Sequence, residues 1–336
     1  MSPATDYKLR AKTSPKGRIY QGRKGIGRYA VSLLGNKLEL ITIQEGIKTT
    51  ANFDWEEVEN AEKLSDIEID IIQEQTDESN STTLIITNEK DLIGEYYRAE
   101  LSDVNLKTIE KEFSKLLFGQ KDFTIYVTYN NFFDSNEKNI SRKKIPEYKA
   151  DDAFHYRLFG YVDEKFEYKF CFNNIYTGLN KEFDGNFYNE LRSKGEEMSS
   201  SIESCGNLLF DYKVYDKDSK GIDLIIDFLN SNVEELGRLS KRDARNLLKD
   251  NSGLAIFRNG FRIRPYGDMD YDWLSLNSRR VQNPSGAIGS EQLRGSIEIQ
   301  SEELSGLKEK SARDGLYENN NYITLQLLSL SILKIL

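Results

Sequence analysis

The 336-residue chain holds one histidine, two cysteines and five prolines, and each shortage removes a class of chemistry. Cys171 and Cys205 are too few and too far apart for a disulfide framework or a cysteine metal cluster; they read as buried free thiols of a reducing compartment. The lone His155 sits in "FHYRLF", not in the His-Arg-Asp loop of a protein kinase, and reads as an ordinary strand residue. No run of eighteen apolar residues offers a membrane span, and "MSPATDYKLRAKTSPKGR" lacks the apolar centre of a secretory signal. A cytoplasmic protein without a membrane partner is expected. Positive charge is also in deficit: a net charge of −9 opposes whole-surface attraction to nucleic acid.

What is present is 38% hydrophobic, 30% charged and 11% aromatic residues, enough for two domains with separate cores. "RYAVSLLG" predicts a short helix closed by Gly35 in a left-handed cap. Alternation in "KLELITI", "GIKTTANF", "STTLIITN" (81–88) and "FTIYVTYN" (123–130) predicts strands, with a helix over 106–119 stopped by Gly119. The polar segment 134–152 is the expected domain boundary, dividing 1–133 from 134–336. Beyond it, "HYRLFGYVDEKFEYKFCFNN" and "GNLLFDYKVYDKD" predict aromatic-rich strands, and "LSKRDARNLLKDNSG" a helix ending at Gly253. Asn259-Gly260 between alternating segments is a two-residue hairpin turn, because both positions need positive φ. "RGSIEIQS" (294–301) is a further strand, and "NNNYITLQLLSLSILKIL" a core-packing helix expected to end the chain in mid-helix. Strands and helices mixed in this order make the class α+β.

The stretch that points to chemistry is "YQGRKGIGRYAVSLLG". Its "GIGRYA" fits G-x-G-x-x-A, but the dinucleotide fingerprint must follow a buried strand and be followed by a well-placed acid. Here "SPKGRIYQGRK" precedes it, and Glu45 falls in a turn. Gly22 and Gly27 have P-loop spacing, yet Arg28-Tyr29 stand where Lys and Ser/Thr belong. The run "DMDYD" (268–272) fails as a calcium loop because Trp273 and Arg279 occupy the sixth and twelfth places. It reads as a polar loop.

"GRKGIGRYAVSLLG" resembles the lid-and-helix segment of the GHKL superfamily of ATPases, the gyrase, heat-shock protein 90, histidine-kinase and MutL group. Glycines let backbone amides approach phosphates, and a following helix adds partial positive charge. The resemblance implies nucleotide contacts from Arg23, Lys24, Gly25, Ile26, Gly27 and Arg28. "STTLIITN" is similar to the family's later strand and makes Thr82 the candidate adenine contact, although Ser81 stands where the family has glycine and Thr83 competes for the role. Residues 250–325, from "SGLAIFRNGFRIRPYG" to "ENNNYITL", resemble the transducer domain of the bacterial heat-shock-protein-90-like and MORC branch. In that family a transducer residue senses the γ-phosphate; the candidates are Arg279, Arg280, Gln292 and Arg313.

The implied architecture is a partial GHKL α/β sandwich, its lid-side half, followed by a transducer-type βαβ domain. The implied cofactors are ATP and Mg²⁺. The implied partners are nucleotide, a second copy of the chain when ATP is bound, and a protein client or DNA, with a role in bacterial defence by analogy. The family's catalytic glutamate, its Mg²⁺-binding asparagine and its Asp-x-Gly-x-Gly turn precede the lid, and nineteen residues cannot hold them. "KDNSGLAIF" (249–257) imitates that turn without its glycine spacing. This chain alone is therefore expected to be an ATPase part without hydrolytic competence. Two other readings remain open at this stage. One is a non-catalytic interaction module that keeps the transducer fold. The other is a nucleic-acid binder using "SRKKIPEYK" and Arg258, Arg262 and Arg264, residues whose default role is a solvated charge run.

Overall fold

Two sharp turns with positive φ at both central residues organise the strands: Glu45-Gly46 (53° and 78°) and Asn259-Gly260 (55° and 74°). The computed structural model describes residues 26–90, 113–114, 123–129, 140–145, 152–197, 202–232, 239–284, 286–310 and 314–336. The chain forms two units, residues 1–111 with 127–143 and residues 112–126 with 144–336. Its elements are mixed α+β.

In the first unit a 3₁₀ helix, Ile26–Leu33, leads into β1 (Gly35–Gln44), and the Glu45-Gly46 turn returns the chain as β2 (Ile47–Asp54). With β3 (Ile71–Gln75) and β4 (Ser81–Glu89) these make an antiparallel sheet in the order β3-β2-β1-β4. Asp54 caps α1 (Trp55–Asn60) by accepting from the Glu56 amide, and Glu56 and Glu57 suit the positive end of the helix. Gly35 is not the left-handed cap expected of it. It opens β1, where a Cβ would meet the Thr87 carbonyl oxygen at 2.6 Å, so the glycine serves close strand approach. Of the helix expected over 106–119, only residues 113–114 are described, and they are helical. A two-stranded pair follows, β5 (Tyr126–Tyr129) with β6 (Ile140–Lys144). The latter lies inside the polar segment 134–152 expected to be the domain boundary.

The second unit is built on a seven-stranded sheet of β7 (Tyr156–Val162), β8 (Glu167–Asn174), β9 (Leu179–Asn186), β10 (Leu208–Val214), β11 (Gly253–Arg258), β12 (Phe261–Ile263) and β13 (Leu293–Ile299). The spatial order is β12-β11-β13-β10-β7-β8-β9. Only β11 and β13 run parallel among these pairs, so a crossover must join them. Among the described residues six α-helices accompany the sheet: α2 (Tyr188–Glu197), α3 (Ser219–Asn232), α4 (Lys241–Asp250), α5 (Leu276–Gln282), α6 (Glu302–Ser305) and α7 (Asn320–Leu333). Alternation along β10 turns Leu208, Phe210 and Tyr212 into the main core, which Leu325, Leu328 and Ile332 of α7 complete.

Apolar residues surround α7, as a helix buried on several sides requires. Two of its hydroxyls are satisfied within the helix: Ser329 Oγ donates to the Leu325 carbonyl at 2.7 Å, and Thr324 Oγ1 to that of Asn320 at 2.9 Å. The helix closes at Leu333, with a turn over Lys334 and Ile335. A second core pairs Ile222, Ile225 and Leu229 of α3 with Ala244 and Leu248 of α4. The start of α4 carries a reciprocal capping box between Ser240 and Asp243. Its expected stop, Gly253, is instead the first residue of β11 at φ 120°, where a Cβ would press on the backbone of Gly267.

Candidate functional site

Of the glycine-loop candidates, Arg23, Lys24 and Gly25 lie outside the described residues. Ile26, Gly27 and Arg28 open the 3₁₀ helix that feeds β1. Thr82 is exposed on β4 opposite Thr42 of β1, while Thr83 pairs with Ile41. Successive strand residues face opposite sides. The choice between Thr82 and Thr83 is therefore a choice between the two faces of the first sheet, and Thr82 shares its face with Leu84 and Leu40.

In the second unit, three transducer candidates converge. Arg279 and Arg280 of α5 and Gln292, just before β13, line one open cleft of about 650 Å³. Arg313 lies outside the described residues. The geometry follows from local sequence. Asp272, the last aspartate of "DMDYD", caps α5 with both carboxylate oxygens, accepting from the Leu276 amide at 2.9 Å and the Asn277 amide at 2.8 Å. That carboxylate supplies what Ser275, left-handed at φ 54° and without a capping bond, does not. Asn277 then ties the helix to the start of β13: its amide donates to Ser290 Oγ at 2.7 Å, and its Oδ1 accepts from the Ser290 amide at 3.1 Å. Gln292 is held by donating to the Tyr215 carbonyl at 3.3 Å.

Sequence reasoning missed two groups of this cleft. Lys334 follows α7 in a segment read only as apolar, and Asp216 follows β10. The Tyr156 hydroxyl donates to Asp216 Oδ2 at 3.1 Å. Burial, and then the Asp216 charge, push the Tyr156 hydroxyl above its ordinary range, so it stays a neutral donor. Spacing could have shown part of this: Leu276 and Arg280 are four apart on α5, and Leu330 and Lys334 four apart at the end of α7.

His155 is buried and structural, though it stands just outside β7 rather than in it. Its Nδ1 accepts from the Asp216 amide at 2.9 Å and its Nε2 lies 3.1 Å from the Gly221 carbonyl, an arrangement that requires the proton on Nε2. Burial lowers its pKa, so it is neutral at neutral pH. The two cysteines differ: Cys205 is buried with its thiol pushed up by desolvation, while Cys171 is partly exposed rather than buried.

The arginines of the nucleic-acid reading are internally engaged. Arg258 is buried against Glu302 (3.3 Å), Glu309 (2.5 Å) and the carbonyls of Gln300 and Leu307. Arg262 bonds Asp268 at 2.7 Å, and Arg264 reaches the same carboxylate at 3.5 Å. Arg258 and Arg262 are fold-holding groups, whereas Arg264 is exposed. Among the described residues, no group of three potential metal ligands occurs, and no helix is long and apolar enough to cross a membrane.

Residues 3–83 match the family described as histidine kinase-, DNA gyrase B-, and HSP90-like ATPase. That stretch, with its glycine loop, is similar to a GHKL-type, nucleotide-binding ATPase domain. The match covers about a quarter of the chain and includes every glycine-loop candidate and Thr82. No curated protein matches the chain. Among solved structures, the 43K ATPase domain of Thermus thermophilus gyrase B in complex with an aminocoumarin is similar at a TM-score of 0.27 and 8% identity, over 96% of this chain and 71% of that one.

Proposed function

We propose that the chain is part of a GHKL-type ATPase in which residues 1–133 supply the lid side of a nucleotide site and residues 134–336 act as the transducer-like domain. The observation that carries this reading is the family match over residues 3–83, which takes in the glycine loop. Arg23, Lys24, Gly25, Ile26, Gly27 and Arg28 wrap the phosphates, Thr82 meets adenine, and one of Arg279, Arg280, Gln292 and Arg313 senses the γ-phosphate. Nucleotide binding closes the lid and pairs two copies of the chain.

No residue of this stretch is assigned to Mg²⁺. No hydrolytic step is assigned to the chain. Equilibrium titration with a non-hydrolysable ATP analogue and Mg²⁺ tests the reading. Saturable binding that weakens about tenfold or more in Gly25→Ala/Gly27→Ala supports it. Absence of binding by the folded chain, or equal affinity in the double variant, overturns it.

A further inference from the structure

We propose that the cleft between α5, the end of α7 and the start of β13 is a binding site for an amphipathic anion: a carboxylate-bearing small molecule with an apolar body. Its volume, about 650 Å³, falls in the range of small-molecule pockets. The lining is divided by depth. Leu276 is buried and Leu330 and Leu333 are half-buried, whereas Arg279 and Lys334 are exposed and Arg280 is half-buried. Each helix thus contributes leucine below and a cation one turn further on: Leu276 with Arg279 and Arg280, Leu330 with Lys334.

The charge balance selects an anion. Among the lining side chains three cations face one carboxylate, Asp216, which already accepts from Tyr156; with the α-carboxylate of Leu336 counted as well, the cations still outnumber the acids. Glu291, next to Gln292 in sequence, is occupied by Lys217 at 2.6 Å and Lys249 at 3.4 Å. Among the described residues, no ion pair engages Arg279, Arg280 or Lys334. Arg280 is also seated: a Cβ at Gly289 would lie 2.9 Å from its Cδ and 3.0 Å from Nη1, so glycine there lets the side chain lie along the cleft wall. A planar guanidinium held in that way suits bidentate recognition of a carboxylate. The leucines select the rest of the ligand, since inorganic anions would leave them facing water.

The test uses octanoate, with octanol as its neutral match, titrated calorimetrically into the full chain. The expected result is saturable, one-site octanoate binding, weakened about tenfold in Arg280→Gln or Lys334→Gln, with octanol at least tenfold weaker than the acid. Both substitutions are on the cleft rim, and the circular dichroism of each variant checks that it is folded. Lack of saturable binding by folded protein, equal binding of octanol, or indifference to both substitutions overturns the proposal. Displacement of octanoate by a non-hydrolysable ATP analogue also overturns it, because the cleft would then belong to the nucleotide. The proposal does not depend on the glycine loop, so loss of nucleotide binding in Gly25→Ala/Gly27→Ala leaves it standing.

Discussion

Arg258→Met should be the most damaging single removal of charge in the second unit. The Arg258 side chain is 7% exposed and its partners Glu302 and Glu309 are 30% and 32% exposed, so the guanidinium is desolvated while the carboxylates keep part of their hydration. Truncation leaves two like charges facing each other and removes the charged donor from the Gln300 and Leu307 carbonyls. Breaking such a pair costs about 3–5 kcal/mol, mostly through the uncompensated acids. At a urea m-value of about 2 kcal/mol/M, the midpoint falls by about 1.5–2.5 M. The assay has a convenient reporter. The chain has two tryptophans, Trp55 in the first unit and Trp273 in the second, so fluorescence in a Trp55→Phe background follows the unit that holds Arg258. Adding Glu302→Gln and Glu309→Gln to Arg258→Met should restore part of the loss by removing the stranded charges. A midpoint shift below about 0.5 M, or no recovery in the triple variant, would refute this account of the network.

Two further outcomes follow from single side chains. His155 has a folded pKa below its unfolded value of 6.5, because burial outweighs the opposing Asp216 and Asp218 charges. Its contribution to stability is complete above pH 6.5 and is lost as pH falls through the interval down to the folded pKa. The unfolding midpoint should therefore drop as pH falls below 6.5, and His155→Phe should flatten that slope while lowering stability throughout by about 1–3 kcal/mol, since the Asp216 amide and Gly221 carbonyl lose their partner. An unchanged slope in the variant would assign the pH dependence elsewhere. Gly160→Ala should prevent the second unit from folding, as its Cβ would lie 2.0 Å from the Lys169 carbonyl oxygen on the neighbouring strand. Gly178→Ala, with φ 66° and open space around it, should cost only ~1–2 kcal/mol. Comparable soluble yield and melting for the two variants would contradict that contrast.

Strands with one buried face were legible where alternation records burial, as along β7, the start of β10 and the end of β13, and Asn259-Gly260 announced its hairpin. Elements whose cause lies elsewhere in the chain were not. The five residues of β3 are all exposed and carry no amphipathic pattern; pairing with β2 makes them a strand. "LNKEFDGN" is poor in strand formers and becomes β9 by lying along β8. In α3, Gly221 and a β-branched run weaken the helix signal, and packing on α4 decides the outcome. Gly35 and Gly253 were read as helix stops because glycine at a helix end is the local meaning. Their actual constraint is a neighbouring backbone, which no local pattern can show.

The candidate site divides along the same line. Arg279, Arg280 and Gln292 fall within fourteen residues of one another, so a motif could nominate them together, whereas Lys334 and Asp216 reach the cleft only through the folded sheet. The two arginines are not equivalent once the fold is known. Arg279 is exposed and tethered by one bond, from Nε to the Leu274 carbonyl at 3.2 Å, which leaves its terminal nitrogens able to extend. Arg280 lies over Gly289 with its stem half-buried beside the leucines. A γ-phosphate sensor needs reach, and a carboxylate seat needs fixity. The two proposed ligands should therefore separate the pair. In the titrations above, Arg279→Gln should weaken the nucleotide analogue more than octanoate, and Arg280→Gln the reverse. Equal effects of both variants on both ligands would mean that the cations act only as a shared field, and that neither arginine is a specific contact.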